Sequence, residues 1–408
     1  MKRRLQKLFY ALLNPQCLRG VGMYLSKSKP YHLHRKLALN IHPKLSRSTW
    51  YAILTASTIC WYFAIFWFQL AHSLHIACKQ KQFTFRTISE LLYIGLWLGA
   101  SPYNYFALNL TNAKKSDWIF YIFLEEQISW HHIFNLNSQH AKNIQSDIAM
   151  LRDKQAFSQY LLHNELPAIP TLATLTQAMQ TDVQLIEQKI NHLIKNDTNF
   201  FIKPQSSNAM KGCVWVKINQ LEKDCNAYGI NYDKQFIRIH NKQKLVEFIS
   251  YSLKHLEKKT HLPLNQRNLL LQKNYPSSNQ VNDILTTSLP NSLRLISYQP
   301  EENSKNIFLI YALLEESIES ENNEMLWQTH NINISSGEIR GQKINQWSTI
   351  INQVIHAHLL FPSVYTIAWD VILTEQGFKV IEGNFGWDAI NPQRVSHSPL
   401  LKFFIEAN

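Results

Sequence analysis

The first 89 residues of this 408-residue chain contain no aspartate or glutamate. They carry 14 lysines and arginines, whereas the rest of the chain carries 27 basic and 29 acidic side chains and is close to neutral. The net charge of +12 is therefore a property of one terminal region. A protein that binds nucleic acid over a large surface would spread its positive charge, so we predict no nucleic-acid partner.

Other scarcities exclude further classes of protein. The five cysteines, Cys17, Cys60, Cys78, Cys213 and Cys225, show no metal-ligand spacing, which fits a reducing compartment better than a disulfide framework. The sequence has neither a Gly-x-Ser-x-Gly elbow nor a Walker A lysine loop. Glycine is rare, with 11 residues, which limits the places where the backbone can approach a phosphate group closely.

What the chain does contain is a long stretch without a charged side chain, from Trp50 to Ala77. About 20 apolar residues are enough to cross a bilayer as a helix, and the Trp and Tyr residues that are frequent here favour membrane interfaces. A buried core helix is the alternative. Because most of the basic residues precede the stretch, the positive-inside rule places the N-terminus in the cytoplasm. We expect a membrane-associated N-terminal region.

The sequence leaves the mode of membrane association open. A single span would place the large C-terminal part outside the cytoplasm. A second apolar stretch, Leu91–Leu110, would return the chain, although Pro102, Asn104 and Asn109 weaken it as a span. A re-entrant hairpin, or a helix that lies on an anionic membrane surface, fits the same residues. We expect the catalytic part to be cytoplasmic.

Beyond the basic region the hydrophobic spacing changes between helical and strand-like. A chain of this length suggests two or three domains. The predicted helices cover residues 116–164, 181–195, 244–259 and 346–360. The predicted strands cover residues 199–204, 213–218, 269–275, 292–299, 307–314, 364–373 and 378–384. Two prolines mark residues 166–175 as a break. Because short loops join several strands, we predict an α+β fold with a mixed or antiparallel sheet.

The last two strands present a candidate metal site. Glu382 and Asn384 are two residues apart in "VIEGN" and therefore share one face of a strand. If the hairpin has a three-residue loop that ends with Gly377, Asp370 lies directly opposite Glu382. A two-residue loop would place the two carboxylates on opposite faces, so this register is an assumption. The alternative is a strand end with two solvated polar residues.

Two carboxylates and an amide oxygen form an incomplete cage of the kind that Mg²⁺ completes with water and phosphate oxygens. Such a site implies a nucleotide and cationic residues near its phosphates. Lys203 ends the strand "FFIKP", and Lys211 and Gly212 lie in the loop that follows, where backbone N–H groups are able to cradle phosphate. Each lysine taken alone is more simply a solvated surface charge.

Together these residues resemble the ATP-grasp superfamily and, more narrowly, the sugar-transfer-associated ATP-grasp family. The resemblance runs from about residue 116 to the C-terminus and is strongest in "AHLLFPSVYTIAWDVILTEQGFKVIEGNFGWDAINPQ". Weaker matches are "LRDKQAFSQYLLHNELPAIPTL", "FIKPQSSNAMKGCVWV", "LLQKNY" and "LPNSLRLISY". The basic N-terminal region is not part of the shared pattern.

The resemblance implies a role for each matching position. Lys154 and Lys203, with Lys211 and Gly212 of the loop, would hold the ATP phosphates. Gln272 and Lys273 would border the adenine, and Arg294 would meet the γ-phosphate or acyl-phosphate oxygens as the catalytic residue. Mg²⁺, with Mn²⁺ as an alternative ion, would be held by Asp370, Glu382 and Asn384.

The implied activity is an ATP-dependent carboxylate ligase that acts through an acyl phosphate on a carboxylate-bearing small molecule or a sugar acceptor. The family suggests a role in cell-envelope or exopolysaccharide synthesis. The resemblance also divides the chain into a basic N-terminal region (1–115) and an ATP-grasp domain (116–408). That domain consists of a helical entry (116–165), a phosphate-loop subdomain (166–270) and a metal-site subdomain (271–408).

Three departures from the family pattern support an alternative, a nucleotide-binding scaffold with weak catalysis. The phosphate loop keeps only Gly212, with Ala209 and Met210 at its tip, and is therefore stiffer than usual. Gln272 replaces a carboxylate, although its amide can still accept a hydrogen bond from an adenine amino group. The segment "LLEES", Leu313–Ser317, lacks an expected second arginine.

Overall fold

In a computed structural model, the protein is described at residues 28–30, 33–34, 55–56, 58–127, 130, 144–180, 182–196, 199–206, 212–219, 224–233, 235–259, 266–285, 291–300, 305–319 and 325–406. The chain forms two compact units. Unit 1 comprises residues 1–141, 299–306 and 386–408, and unit 2 comprises residues 142–298 and 307–385. The domain boundaries given by the sequence stay predictions.

Unit 1 is helical. Its longest helix is α1 (Thr58–Lys79), which contains a π-helical segment at Trp61–Ile65. Helix α2 (Phe85–Leu92) begins at Thr84, whose hydroxyl accepts a hydrogen bond from the Thr87 N–H, and it continues as a π-helix over Tyr93–Leu98. The other elements of the unit are α3 (Asn104–Ala107), 3₁₀ turns at Leu110–Asn112, Lys115–Phe120 and Leu124–Glu126, α10 (Ile390–Ser396) and α11 (Leu400–Glu406).

The second apolar stretch of the sequence forms the core of unit 1. Leu91, Ile94, Leu98, Leu108 and Leu110 are fully buried, in one cluster with residues of α1. The structure breaks Leu91–Leu110 into short helical segments around a core, so within the described residues this stretch does not form one long helix. Among the described residues, α1 alone is long and apolar enough to cross a membrane, a statement about length and composition only.

In its described residues, unit 2 contains two large antiparallel sheets and a two-stranded antiparallel sheet of β10 and β11, which bear out the predicted α+β class. The first has the strand order β1-β6-β2-β3-β4-β5 and the second has the order β13-β12-β7-β8-β9. The strands of the first sheet are β1 (Thr171–Leu175), β2 (Phe200–Pro204), β3 (Cys213–Asn219), β4 (Asp224–Ile230), β5 (Phe236–Ile239) and β6 (Leu269–Lys273). The remaining strands are β7 (Asn291–Tyr298), β8 (Phe308–Glu319), β9 (Met325–Asn331), β10 (Glu338–Ile339), β11 (Gln342–Lys343), β12 (Thr366–Thr374) and β13 (Gly377–Asn384).

Five helices accompany these sheets. They are α4 (Ile144–Arg152), α5 (Lys154–His163), α6 (Val183–Lys195), α7 (Lys242–Glu257) and α9 (Trp347–Leu359), with a short α8 (Asn279–Ile284). One face of the first sheet packs on α6 and α7 in a continuous apolar cluster. Helix α6 starts at Asp182, whose carboxylate accepts from the Leu185 N–H, as its predicted position at the helix start suggests.

Six of the described strands were not predicted from the sequence: β1, β4, β5, β9 and the two-residue strands β10 and β11. The break predicted at residues 166–175 contains β1, which begins directly after Pro170 and pairs only with β6. A proline is tolerated there because it precedes an edge strand. Strands β4, β5 and β9 were also missed, since their sequences do not alternate cleanly. In the predicted helical region 116–164, the described residues 116–126 form two 3₁₀ turns joined by an irregular segment, whereas Gln127 and Trp130 are helical.

Candidate ATP and metal site

The β12–β13 hairpin places Asp370 directly opposite Glu382, as predicted, but by a different route. Thr374 pairs with Gly377, so the loop has two residues rather than three. The register then shifts between Asp370 and Val371, because a β-bulge at Ile381 adds one residue to β13. The assumed three-residue loop is wrong, and the bulge compensates for it by restoring the register.

Helices α4 and α5 pack closely on this part of β13. A Cβ atom at Gly383 would lie 3.0 Å from the Leu151 side chain and 3.3 Å from the Phe157 ring, so a larger residue would push these side chains outward. Asp153 caps α5 by accepting from the N–H groups of Gln155 and Ala156. Lys154 therefore projects from the first turn, and its Nζ lies 3.4 Å from Glu382 Oε2.

Asp153 also connects this helix to β2. Its Oδ1 accepts a hydrogen bond of 2.7 Å from Gln205 Nε2, two residues after Lys203. The Gln205 amide oxygen in turn accepts from Asn268 Nδ2 at 3.0 Å. These contacts fix the end of β2 relative to α5, and with it the two lysines. Asp153 and Lys154 are adjacent in the sequence, but the sequence gives no sign that Asp153 positions α5 against β2.

Arg294 on β7 lies against the candidate metal ligands. Its Nε and Nη2 donate to the two oxygens of Asp370 at 2.9 and 3.1 Å, and its Nη1 lies 2.9 Å from Glu315 Oε1. Glu315 belongs to "LLEES", the segment in which a second arginine was expected. The strand register decides which carboxylate of this segment meets Arg294, and the sequence gives no signal for it.

Asn384 completes the set. Its Nδ2 donates to Asp370 Oδ2 at 3.1 Å and to Glu382 Oε1 at 3.2 Å, so all three predicted metal-site residues converge. Half a turn of the amide would direct Oδ1 to the same point, where it can act as a ligand. In the described part of the chain no group of three His, Cys, Asp or Glu residues is placed to hold a metal.

The charges of the two carboxylates are strongly perturbed. Burial raises the pKa of Asp370, and Glu382 adds to this rise while Arg294 opposes it. Burial also acts to raise the pKa of Glu382, but Lys154 and Lys203 lower it to about 2. Glu382 is thus a carboxylate at neutral pH, and its side chain remains 23% exposed and open to a ligand.

Lys203 is buried in the site without a hydrogen-bond acceptor for its ammonium group in the described part of the chain. It is only 3% exposed, and its Nζ has no hydrogen-bond partner among the residues that the structure describes. Burial lowers its pKa to about 8, although Glu382 raises it. A buried ammonium group without a hydrogen-bond acceptor is costly, so the site fits an anion that would supply one.

Gln272 shows a similar deficiency. It pairs with Phe201 across β2 and β6, and Leu270 pairs with Lys203, so Gln272 and Lys203 share the sheet face that is turned away from α6 and α7. Its Oε1 is buried without a partner, and its Nε2 lies 3.5 Å from Thr171 Oγ1. An amide oxygen in this state is ready to accept a hydrogen bond from a ligand amino group.

The remaining predicted residues are less well placed. Lys273 follows Gln272 and points to the other face, where its exposed Nζ lies 5.1 Å from the centre of the Tyr275 ring. The Gly212 N–H donates to the Ile230 carbonyl at 2.9 Å, and Gly212 has a positive φ of 76°. Lys211 and the loop tip with Ala209 and Met210 lie outside the described residues. Their assignments to the nucleotide stay predictions.

No protein-family model matches the chain, and no curated protein matches its sequence. Solved structures do show similarity. D-alanyl-alanine synthetase A from Vibrio cholerae O1 biovar eltor is 12% identical, over 64% of each chain, with a TM-score of 0.40. The ATP-grasp ligase PsnB with its minimal precursor is 12% identical, over 70% of each chain, with a TM-score of 0.37.

The biotin carboxylase domain of 2-oxoglutarate carboxylase from Hydrogenobacter thermophilus, in complex with MgADP, ADP and bicarbonate, is 13% identical with a TM-score of 0.40. That match covers 64% of this chain and 46% of the other, so the chain spans about half the length of this protein. At such identities and TM-scores, structural similarity does not establish a shared activity.

Proposed function

We propose that the chain is an ATP- and Mg²⁺-dependent carboxylate ligase of the ATP-grasp type. The observation that carries this proposal is the buried, unpartnered Lys203 ammonium group beside the Asp370–Glu382 carboxylate pair. A site that combines an unsatisfied cation with two adjacent carboxylates fits a ligand that brings both an anion and a divalent cation. A magnesium–triphosphate complex has this composition.

Each residue of the site would bind a different part of the magnesium–nucleotide complex. Asp370, Glu382 and Asn384 would hold Mg²⁺, which would neutralise phosphate charge and orient the triphosphate. Lys203 and Lys154 would bind the phosphate oxygens, and Gln272 Oε1 would accept from the adenine amino group. Arg294 would exchange its bonds with Asp370 for bonds to the transferred phosphoryl group, while Glu315 keeps the guanidinium oriented.

The proposed chemistry is ligation through an acyl phosphate. A substrate carboxylate would attack the γ-phosphorus, break the β–γ phosphoanhydride bond and release ADP. An amine or similar nucleophile would then displace phosphate from the acyl carbon and lose a proton to solvent. Pre-positioned cations supply most of the catalysis in such reactions, because they stabilise charge that develops on the oxygens. The proposed acceptor is a small molecule or sugar that bears a carboxylate, in the synthesis of an envelope or exocellular polysaccharide.

Calorimetric titration with a non-hydrolysable ATP analogue tests the binding step. We expect binding that requires Mg²⁺ and favours adenine over guanine nucleotides. Release of ADP and phosphate in the presence of carboxylate acceptors tests the reaction. Nucleotide binding that is unaffected by removal of Mg²⁺ would contradict the proposed site.

A second candidate is a nucleotide-binding scaffold with weak catalysis. Its support is the phosphate loop, which retains a single glycine whose N–H already donates to Ile230. A loop of this kind has fewer free backbone donors for phosphate. Tight Mg²⁺-dependent ATP binding without ADP release, across a panel of carboxylate acceptors, would favour the scaffold over the ligase.

A further inference from the structure

Large apolar side chains are exposed on unit 1 to an unusual degree. Among the described residues, the three most exposed large hydrophobic side chains are Phe85, Phe63 and Phe68, at 86%, 83% and 77%. They belong to two patches. The helix patch is Ile59, Phe63, Trp67 and Phe68 on α1, and the tip patch is Phe83 and Phe85 on either side of Thr84.

These patches are not unfinished core. Helix α1 already buries a separate stripe, Trp61, Phe66, Leu70 and Ala77, against the rest of unit 1. Phe66 fills the space above Gly95, where a Cβ atom would approach its ring to 2.1 Å. The inner face of the helix is therefore packed, and the helix patch is a second apolar face that the described residues of the unit leave exposed.

The charges around the patches have one sign. Lys79 and Lys81, which precede the tip patch, are both exposed. The first acidic residue of the chain is Glu90, and its side chain is buried, where it accepts from Arg86 Nε at 2.9 Å and from the Tyr105 hydroxyl at 2.7 Å. No carboxylate from residues 1–89 opposes the lysines, so the surface complements an anionic one.

We infer that the helix patch and the tip patch dock unit 1 onto a bilayer that contains anionic phospholipid, with α1 lying along the surface. From Ile59 to Phe68 the exposed apolar face extends roughly 14 Å, at 1.5 Å per residue, against a hydrocarbon core of about 30 Å. Beyond Phe68 the exposed face carries His72, His75 and Lys79. An exposed apolar face that is followed by polar and basic side chains suits shallow insertion along the surface.

Sedimentation of the full-length protein with vesicles tests this docking. Wild-type protein is expected to bind phosphatidylcholine vesicles that contain phosphatidylglycerol more tightly than vesicles of phosphatidylcholine alone. Phe63→Ser/Phe68→Ser and Phe83→Ser/Phe85→Ser should each lower the partition coefficient on the order of 100-fold. Lys79→Gln/Lys81→Gln should lower it about thirtyfold, on the anionic vesicles only.

Matched controls come from unit 2. Tyr251 and Leu326 are 52% and 50% exposed, and Tyr251→Ser/Leu326→Ser should bind vesicles like the wild type. Unchanged thermal unfolding would show that every variant folds. The inference would be overturned if the patch variants bound vesicles as tightly as the control variant. It would also be overturned if the control variant lost as much vesicle binding as the patch variants.

The orientation of α1 has its own test, since Cys60 and Cys78 are exposed near its two ends. A membrane-impermeant maleimide is applied to sealed vesicles that carry single-cysteine variants of the full chain, before and after lysis of the vesicles. For a helix that lies on the outer surface, labelling of neither thiol should rise on lysis. A rise for only one of the two would identify a span and overturn the inference.

Discussion

Unit 2 buries charged side chains, whereas unit 1 exposes large aromatic ones. Lys203, Asp370 and Glu315 are each less than 9% exposed, while Phe63 and Phe85 are more than 80% exposed. Both arrangements oppose the usual distribution, in which charges face water and large apolar groups do not. Asp370 and Glu315 share Arg294, but within the described part of the chain Lys203 Nζ has no acceptor and the two rings have no cover, so something else must supply a partner for them. A buried charge without a hydrogen-bond acceptor indicates a polar ligand, and an exposed apolar surface indicates an apolar one.

The largest effect should follow from removal of a charged metal ligand. Asp370→Asn and Glu382→Gln are each expected to weaken Mg²⁺-dependent nucleotide binding on the order of 100-fold, because a neutral oxygen is a much poorer ligand for Mg²⁺. Calorimetric titration with and without Mg²⁺ measures this. The exposed residues Asp233 and Glu338 offer matched controls, Asp233→Asn and Glu338→Gln, which should bind like the wild type. Full binding by both site variants would remove the metal assignment.

Lys203→Met should separate binding from stability. Nucleotide affinity is expected to fall at least about tenfold with the loss of one charge-assisted phosphate contact. The free energy of unfolding at pH 7 should rise on the order of 2 kcal/mol, because the variant no longer buries an unpartnered ammonium group. Denaturant unfolding measures the second effect, and a loss of stability would show that Lys203 has a partner the site requires.

The pH dependence of this stability difference has a definite sign. The pKa of Lys203 is about 8 in the folded protein, against an ordinary value of 10.5. Its destabilising charge is therefore fully present below pH 8 and disappears as pH rises from about 8 to 10.5. The stability advantage of Lys203→Met should shrink over the same range. An advantage that stays constant up to pH 10.5 would contradict the lowered pKa.

Gln272→Leu should have a smaller, selective effect. Loss of the unpartnered Oε1 is expected to lower the preference for ATP over GTP about fivefold, since one neutral hydrogen bond is worth roughly 1 kcal/mol. Competition binding with the two nucleotides measures the ratio. Gln177→Leu would be an unsuitable control, because Gln177 Nε2 holds two backbone carbonyls, whereas Gln235→Leu changes only exposed contacts. An unchanged ratio would place the adenine elsewhere.

Two buried histidines extend the comparison to pH-dependent stability. Burial lowers the pKa of His358 in unit 2 to about 4, so stability should fall by up to about 1.4 kcal/mol per pH unit as pH drops from 6.5 towards 4. In unit 1, burial opposes the charge of His34, but Glu126 raises its pKa above 6.5, and its stabilisation is lost as pH rises through that raised value. Denaturant unfolding between pH 4 and 9 measures both effects. His358→Gln should remove the fall in unfolding free energy below pH 6.5. His34→Gln should remove the fall in unfolding free energy at higher pH.

Much of the site was predictable because short-range spacing carries it. Glu382 and Asn384 share a face by strand periodicity, and the family resemblance supplied Lys154 and Arg294. The bulge at Ile381 was not predictable, since "KVIEG" alternates poorly with or without an extra residue. Glu315 and the bond between Asp153 and Gln205 depend on strand register and on residues 52 positions apart, which a single sequence does not encode locally.

In the fold, too, features set by local sequence were predicted and features set by distant residues were not. Strands with strong apolar runs, such as β8 and β12, were predicted, whereas β1, β4 and β5 were missed because their partners rather than their own residues make them strands. The segment Leu91–Leu110 has a composition that suits lipid as well as a protein interior. Only its neighbours in three dimensions decide that it forms the core of unit 1.

The grip of Arg294 on both oxygens of Asp370 has a consequence for the order in which ligands arrive. A free metal ion would have to compete with a guanidinium group for the same carboxylate, and the displaced guanidinium would gain nothing. A metal ion that arrives already bound to a triphosphate offers the guanidinium a new set of anionic oxygens, so both exchanges proceed together. On the proposed assignment, magnesium alone should therefore bind weakly. The preformed magnesium–triphosphate complex should bind in one step, with the metal replacing Arg294 at Asp370 and the triphosphate replacing Asp370 at Arg294.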